Sequence, residues 1–179
     1  MTLDSRVLLD PDDGSLGPLL RLADDRLSPG EGYGQHAHRD VDVVAVVLAG
    51  SLTHRWLVGA VLGAGDVGVL RAGGGLWHDE VAGDAGAHVV QTYLRAAVAG
   101  GPPSHDVHPV PAGWIDLGRA DARLWVAVVA AGESADPPPG LRVVARGDEV
   151  TAAPTTGPVT GPATVCVWQL DLTRPAWAT

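Results

Sequence analysis

The chain has 179 residues and 46% hydrophobic residues, enough for one ordinary domain or two small ones sharing a core, and no apolar run approaches the length of a membrane-spanning helix. Its formal charge of −9 comes with twelve basic residues, all Arg and none clustered, so neither a basic nucleic-acid face nor a localisation run is present. The single cysteine, Cys166, excludes an internal disulfide and fits a reducing cytosol; the first ten residues lack the basic start and long apolar centre of a signal peptide, and a cytoplasmic location is expected.

In chain order, strand-like runs fall at 19–22, 41–48, 51–58, 66–70 and 87–94. Turns are expected at Ala49-Gly50, Gly63-Ala64-Gly65 and Gly73-Gly74-Gly75. The Pro- and Gly-rich stretch Ala99–Pro111 reads as a linker. Beyond it, 123–130, 141–145, 149–152 and 163–172 are again strand-like, and Ala153–Pro162 is too rich in breakers for regular structure. The spacing of about ten residues between turns is what a sandwich or barrel produces. The expected class is all-β, in two parts: residues 1–105 and a smaller unit over 106–179.

Two short couples carry the chemistry. His36 and His38 stand at i and i+2, and forty residues on His78 and Glu80 do the same. On a strand such couples point to one face. Two strands side by side would aim three imidazoles and one carboxylate at a point, which suits a divalent iron, nickel, manganese, copper or zinc ion with positions left for a substrate. The competing reading is a pair of surface His in a polar turn after Gly32-Tyr33-Gly34, with His78 as turn material after three glycines.

The residues around these couples resemble a known family. Gln35-His36-Ala37-His38-Arg39-Asp40, followed by an apolar run to Gly50, is similar to the first motif of the pirin-like bicupins. There His-Pro-His precedes an acid, an apolar strand and Gly. Gly65-Asp66, Ala72-Gly73 and Gly75-Leu76-Trp77-His78-Asp79-Glu80 resemble the second motif. The resemblance covers residues 30 to 95 and implies a bicupin of two tandem small jelly-roll β-barrels, the C-terminal one shortened and without metal. It places His36, His38, His78 and Glu80 on the family's four metal ligands. Iron(II) is the expected ion, with nickel, manganese, copper and zinc as alternatives. Implied activity is that of a quercetin 2,3-dioxygenase, opening a flavonol or a related enol or catechol with O2. The alternative is a non-enzymatic metal- or redox-sensing protein, for which the acidic charge permits a protein partner without giving it an address. A third reading is a scaffold that keeps the ligands without a usable pocket. The chain departs from the family pattern at Ala37 and Ala64, where Pro is usual, and at Arg55–Gly59.

Glu80 is a ligand and, if released, a base for a substrate hydroxyl. His54 lies on a strand, where it either donates to a ligand from behind or is a partly exposed strand His. Asp42 shares the parity of His36 and His38, so it either turns inward to orient a ligand or sits at the surface. His88, His105 and His108 are expected at the surface or in the linker. Trp77 alternates away from His78 into packing, and Cys166 is a small core residue. Gly73–Gly75 lacks the Lys and helix of a phosphate loop.

Overall fold

Short apolar runs broken by Gly, Pro and Asp leave the backbone one way to satisfy its polar groups, by pairing with neighbouring strands. The computed structural model describes residues 3–11, 13–57, 59–109 and 113–173, and among them there are strands and no helix. In chain order these are β1 (Leu3–Leu9), β2 (Leu19–Leu27), β3 (His36–His38), β4 (Val41–Arg55), β5 (Ala60–Gly63), β6 (Val67–Arg71), β7 (Leu76–Arg95) and β8 (Ser104–His108). There follow β9 (Gly113–Ile115), β10 (Ala122–Val129), β11 (Ser134–Ala135), β12 (Gly140–Arg146), β13 (Glu149–Thr155), β14 (Val159–Thr160) and β15 (Ala163–Leu170). The chain divides into two compact units, one of Met1–Asp10 and Leu19–Pro109, the other of Pro11–Pro18 and Val110–Thr179.

In the first unit one antiparallel sheet runs β1-β2-β7-β4-β6-β8, with β3 added on β7 and β5 on β4. The pairing path ends at β1 and β8 and does not close into a ring. Its centre is the pair of long strands β4 and β7, of 15 and 20 residues. Both contain an irregularity. Their register shifts between Val47 and Ala49 and again between Gly50 and Leu52. Ala49-Gly50 is therefore a bulge inside one strand, where the sequence suggested a turn between two. Gly50 has φ +71°, and an added Cβ would overlap the carbonyl oxygen of Gly86 on β7.

Each bulge moves the strand's inward parity by one residue. In β4 the inner face carries Ala45 and Val47 before the bulge, then Leu52 and His54 after it; in β7 it carries Glu80 and Ala82, then Ala87, Val89 and Gln91. A core of Leu27, Ala45, Val47, Leu52, Leu62, Ala82, Ala87 and Val89 fills this face. At its other end Val41, Val43, Leu70, Ala72 and Leu76 pack with Tyr93.

Residues 104–108 also depart from the sequence reading. Inside the expected linker they form β8, paired with β6 from Val67↔His108 to Arg71↔Ser104. An edge strand needs only one partner, and its alternation of polar residues hid it. Pro111 and Val58, ends of two sequence-defined segments, lie outside the described residues.

The second unit has a five-stranded antiparallel sheet in the order β13-β12-β15-β10-β9 and a two-stranded β11-β14 pair. Strand β13 runs through Ala153-Pro154-Thr155, and β14 takes Val159 and Thr160, so the breaker-rich stretch contributes to two strands. Pro154 stands on β13 at the end of the sheet order, where a missing N–H is tolerated. Cys166 is buried on β15, and burial pushes its thiol up to about 12.

Candidate metal centre

Strand β3 is three residues long and owes its place to β7, with His36 opposite His78, Ala37 opposite Trp77 and His38 opposite Leu76. Directly opposed residues share a face, so His36, His38 and His78 converge. Asp40 ends the strand with φ 52°, a conformation Asp tolerates. Its N–H donates to Gly73 O at 2.8 Å and its carboxylate accepts from Gly100 N at 2.7 Å, turning the chain into β4.

The ligand atoms of the three imidazoles lie within 4.8 Å of one another. Ring centroids are 4.7 Å apart for His36–His38, 4.4 Å for His36–His78 and 5.0 Å for His38–His78. His36 Nδ1 lies 2.7 Å from Gly34 O and donates to it, which leaves the Nε2 lone pair facing His38 Nε2 at 3.0 Å. His78 is 1% exposed, and neither of its ring nitrogens has a partner among the described residues. Burial holds it down to about 4, reinforced by His36, His54 and His38 and opposed by Glu80. Burial, then His36, also lowers His38. An imidazole binds a metal through an unprotonated ring nitrogen, a form that burial favours at His38 and His78, and the three residues fit a divalent transition ion.

Glu80 does not join this triad of atoms. Its carboxylate accepts from Gln91 Nε2 at 3.1 and 3.3 Å and contacts His54 Nε2 directly. Burial alone would raise the Glu80 carboxyl. The hydrogen bond and charge of His54, with His78 and Gln91, hold it below its ordinary value, so it is ionised. His54 is itself 2% exposed and stands opposite Glu80 across β4 and β7. Its ring stacks on His105 at 4.5 Å and 9°. Of the two readings of His54, the buried one holds.

Four residues that sequence reasoning missed complete the walls. Tyr93 donates to Gln91 Oε1 at 2.7 Å and its ring lies 5.8 Å from His38. Tyr33 stands edge-on to His36 and donates to Asp25 Oδ2 at 2.9 Å. Burial raises the Asp25 carboxyl and both phenols. The available signal was Gln91-Thr92-Tyr93, a polar interruption in an apolar run. Gly32 lets the Tyr33 segment approach, since an added Cβ would overlap Glu80 O.

Other expectations need correction. Asp42 is buried, but it lies one step out of phase with Val43 and Tyr93, on the face opposite Ala45 and Gln91. The parity carried from His38 fails because Asp40 breaks the strand. His88 is buried rather than superficial, 2.6 Å from Asp24 Oδ1, and Asp24 also accepts from Arg6 at 3.0 Å. His105 is on β8 against His54, and burial lowers it to about 4. Trp77 does alternate away from His78, yet it is 66% exposed rather than packed.

Residues 9–94 match the family model described as Pirin. The chain is similar to a putative quercetin 2,3-dioxygenase of Zymomonas mobilis, 35% identical over 98 residues, covering 53% of this chain and 42% of that one. It is similar to a pirin-like protein of Caulobacter vibrioides, 30% identical over 145 residues, with 70% and 62% covered. The chain thus spans less than two thirds of the length of these relatives. Among solved structures it resembles the bacterial pirin YhhW of Escherichia coli in complex with nickel(II), with a TM-score of 0.68 over 94% of this chain and 91% of that one. At 18% identity that likeness is one of fold.

Proposed function

Because this chain is a pirin-like cupin over residues 9–94, we propose that it binds one divalent transition ion through His36, His38 and His78, with Glu80 joining them as fourth ligand on turning from His54, and acts as a dioxygenase on a flavonol or a related enol or catechol. The observation that carries the reading is His78, a buried imidazole with two unpartnered nitrogens, set against His36 and His38. Buried polar atoms are nearly always satisfied, and these three rings offer what a transition ion takes. Iron(II) is the first expectation, with nickel, manganese, copper and zinc as alternatives. The relatives named as quercetin 2,3-dioxygenases support the substrate class, and the nickel(II) complex of the Escherichia coli pirin supports the ion class. The cytosol is the proposed location.

An ion held there supplies a Lewis acid that lowers the pKa of a substrate hydroxyl. The rest is done by the chain. Glu80, kept ionised by His54 and Gln91, is the base for the hydroxyl proton in this reading when it is off the ion. Tyr93 fixes Gln91, so the amide donates to Glu80 rather than to substrate. The apolar inner face keeps bulk water from the deprotonated substrate.

Metal content and oxygen uptake with quercetin test the reading together. About one equivalent of metal and oxygen consumption stoichiometric with quercetin loss are expected. Metal without oxygen uptake, across several flavonols and catechols, would overturn the enzyme and leave a metal-sensing or binding protein. No metal after reconstitution with iron, nickel or manganese would remove both.

A further inference from the structure

Strand β12 of the second unit carries a residue that an apolar face does not explain. Arg142 is 5% exposed, and its Nε and Nη2 are buried without a partner among the described residues. By register it stands opposite Val167, and Val144 two residues on stands opposite Val165. Trp125 meets Val167 from the other side, on β10. Arg142 therefore shares a face with Val144, Val165, Val167 and Trp125, members of one apolar cluster. A guanidinium cannot shed its charge to escape such surroundings, so it needs an acceptor.

The two free nitrogens are also a matched pair. Nε and Nη2 lie on one edge of the guanidinium, the edge that meets both oxygens of a carboxylate. The same unit contains the completed version. Arg119 uses its Nε and Nη2 to hold Asp121 Oδ1 at 2.7 Å and Oδ2 at 2.9 Å. Among the described residues, Arg142 is the only arginine in which two buried nitrogens both lack a partner.

We propose that Arg142 anchors a binding site for a small carboxylate with an apolar body, seated on the valine-rich face of the second unit. The carboxylate takes the Nε/Nη2 edge, and Val144 and Trp125, the half-buried members of the cluster, take the hydrocarbon or ring. The site shares no residue with the histidine cluster.

Calorimetric titration of the full chain with benzoate tests this, with benzamide as the uncharged isostere, on the parent and on Arg142→Met and Arg142→Lys. Saturable binding of benzoate is expected, with benzamide weaker by about tenfold or more, the size of losing a charge-assisted pair. Both variants should lose benzoate by a similar factor, Arg142→Lys because it keeps the charge without the fork. Equal binding of benzoate and benzamide, no binding of either, or undiminished benzoate binding in a folded variant would overturn the site. Should Arg142→Met fail to fold, the benzoate–benzamide comparison and Arg142→Lys still decide.

Discussion

Replacing His78 by leucine should separate the metal site from the fold that carries it. In the ion-free protein this imidazole must bury an N–H and a lone pair without partners, at about 1–3 kcal/mol for each unsatisfied group. Leucine is close in volume and has no polar atom to desolvate. With chelator present, His78→Leu is therefore expected to be more stable than the parent by about 1–3 kcal/mol, counting one group fully and allowing for imperfect packing. For a chain of this size that is roughly 2–4 °C in Tm per kcal/mol. Adding metal should reverse the order. Free ion at a hundred times Kd stabilises the parent by about 2.7 kcal/mol, and the variant should gain little. Thermal melts with chelator and with iron(II) or nickel(II) measure both arms. A variant less stable than the parent in chelator would mean the ring has partners after all. Equal gains on adding metal would mean the ion does not bind through His78.

Three more outcomes follow from the same geometry. Glu80→Gln should lower ion-free stability by about 1–3 kcal/mol, because a buried amide replaces the carboxylate that accepts from Gln91 and contacts His54, and should reduce bound metal; urea melts and elemental analysis check it. As pH falls from 6.5 towards 4, the ion-free protein should lose stability, since His78 and His105 stay neutral when folded and take protons when unfolded. Their stabilisation is present above 6.5 and gone near 4, at most about 3 kcal/mol each and less with solvent screening; a flat urea midpoint over that range would refute it. Gly50→Ala should cost about 2–4 kcal/mol from the positive φ and the overlap with Gly86 O, read from the same melts.

The all-β class was legible because Gly- and Pro-bearing turns punctuate β-branched runs, and that pattern survives any detail of pairing. The convergence of His36, His38 and His78 was legible too, because i and i+2 need only an extended backbone. Gln91 and Tyr93 were not. Counting by twos from His78 puts both on the outer face, and only the bulge opposite Gly50 brings them in. Asp42 failed for the mirror reason, since a left-handed residue at Asp40 restarted the count. His88 and Asp24 found each other across β2 and β7 by a register that no local pattern announces. Edge strand β8 was hidden by its polar residues, and with it the stacking of His105 on His54.

The paired bulges also govern how this protein's length can change over generations. Glu80 and Gln91 are hydrogen-bonded although they are 11 residues apart, an odd interval that an unbroken strand would send to opposite faces. Deleting one residue near Gly86 alone would make that interval even, which keeps Gln91 and Glu80 on one face only if β7 straightens, and a straightened β7 no longer matches the irregularity that β4 still carries at Gly50. Deleting one residue near Gly50 alone would leave the converse mismatch beside the half of β4 that carries His54. Because the two irregularities face one another, a shortening on one strand is tolerable only with a matching shortening on the other. In a library of one-residue deletions across β4 and β7, survivors should be doubles that pair these two places, while point changes along both strands are absorbed far more freely.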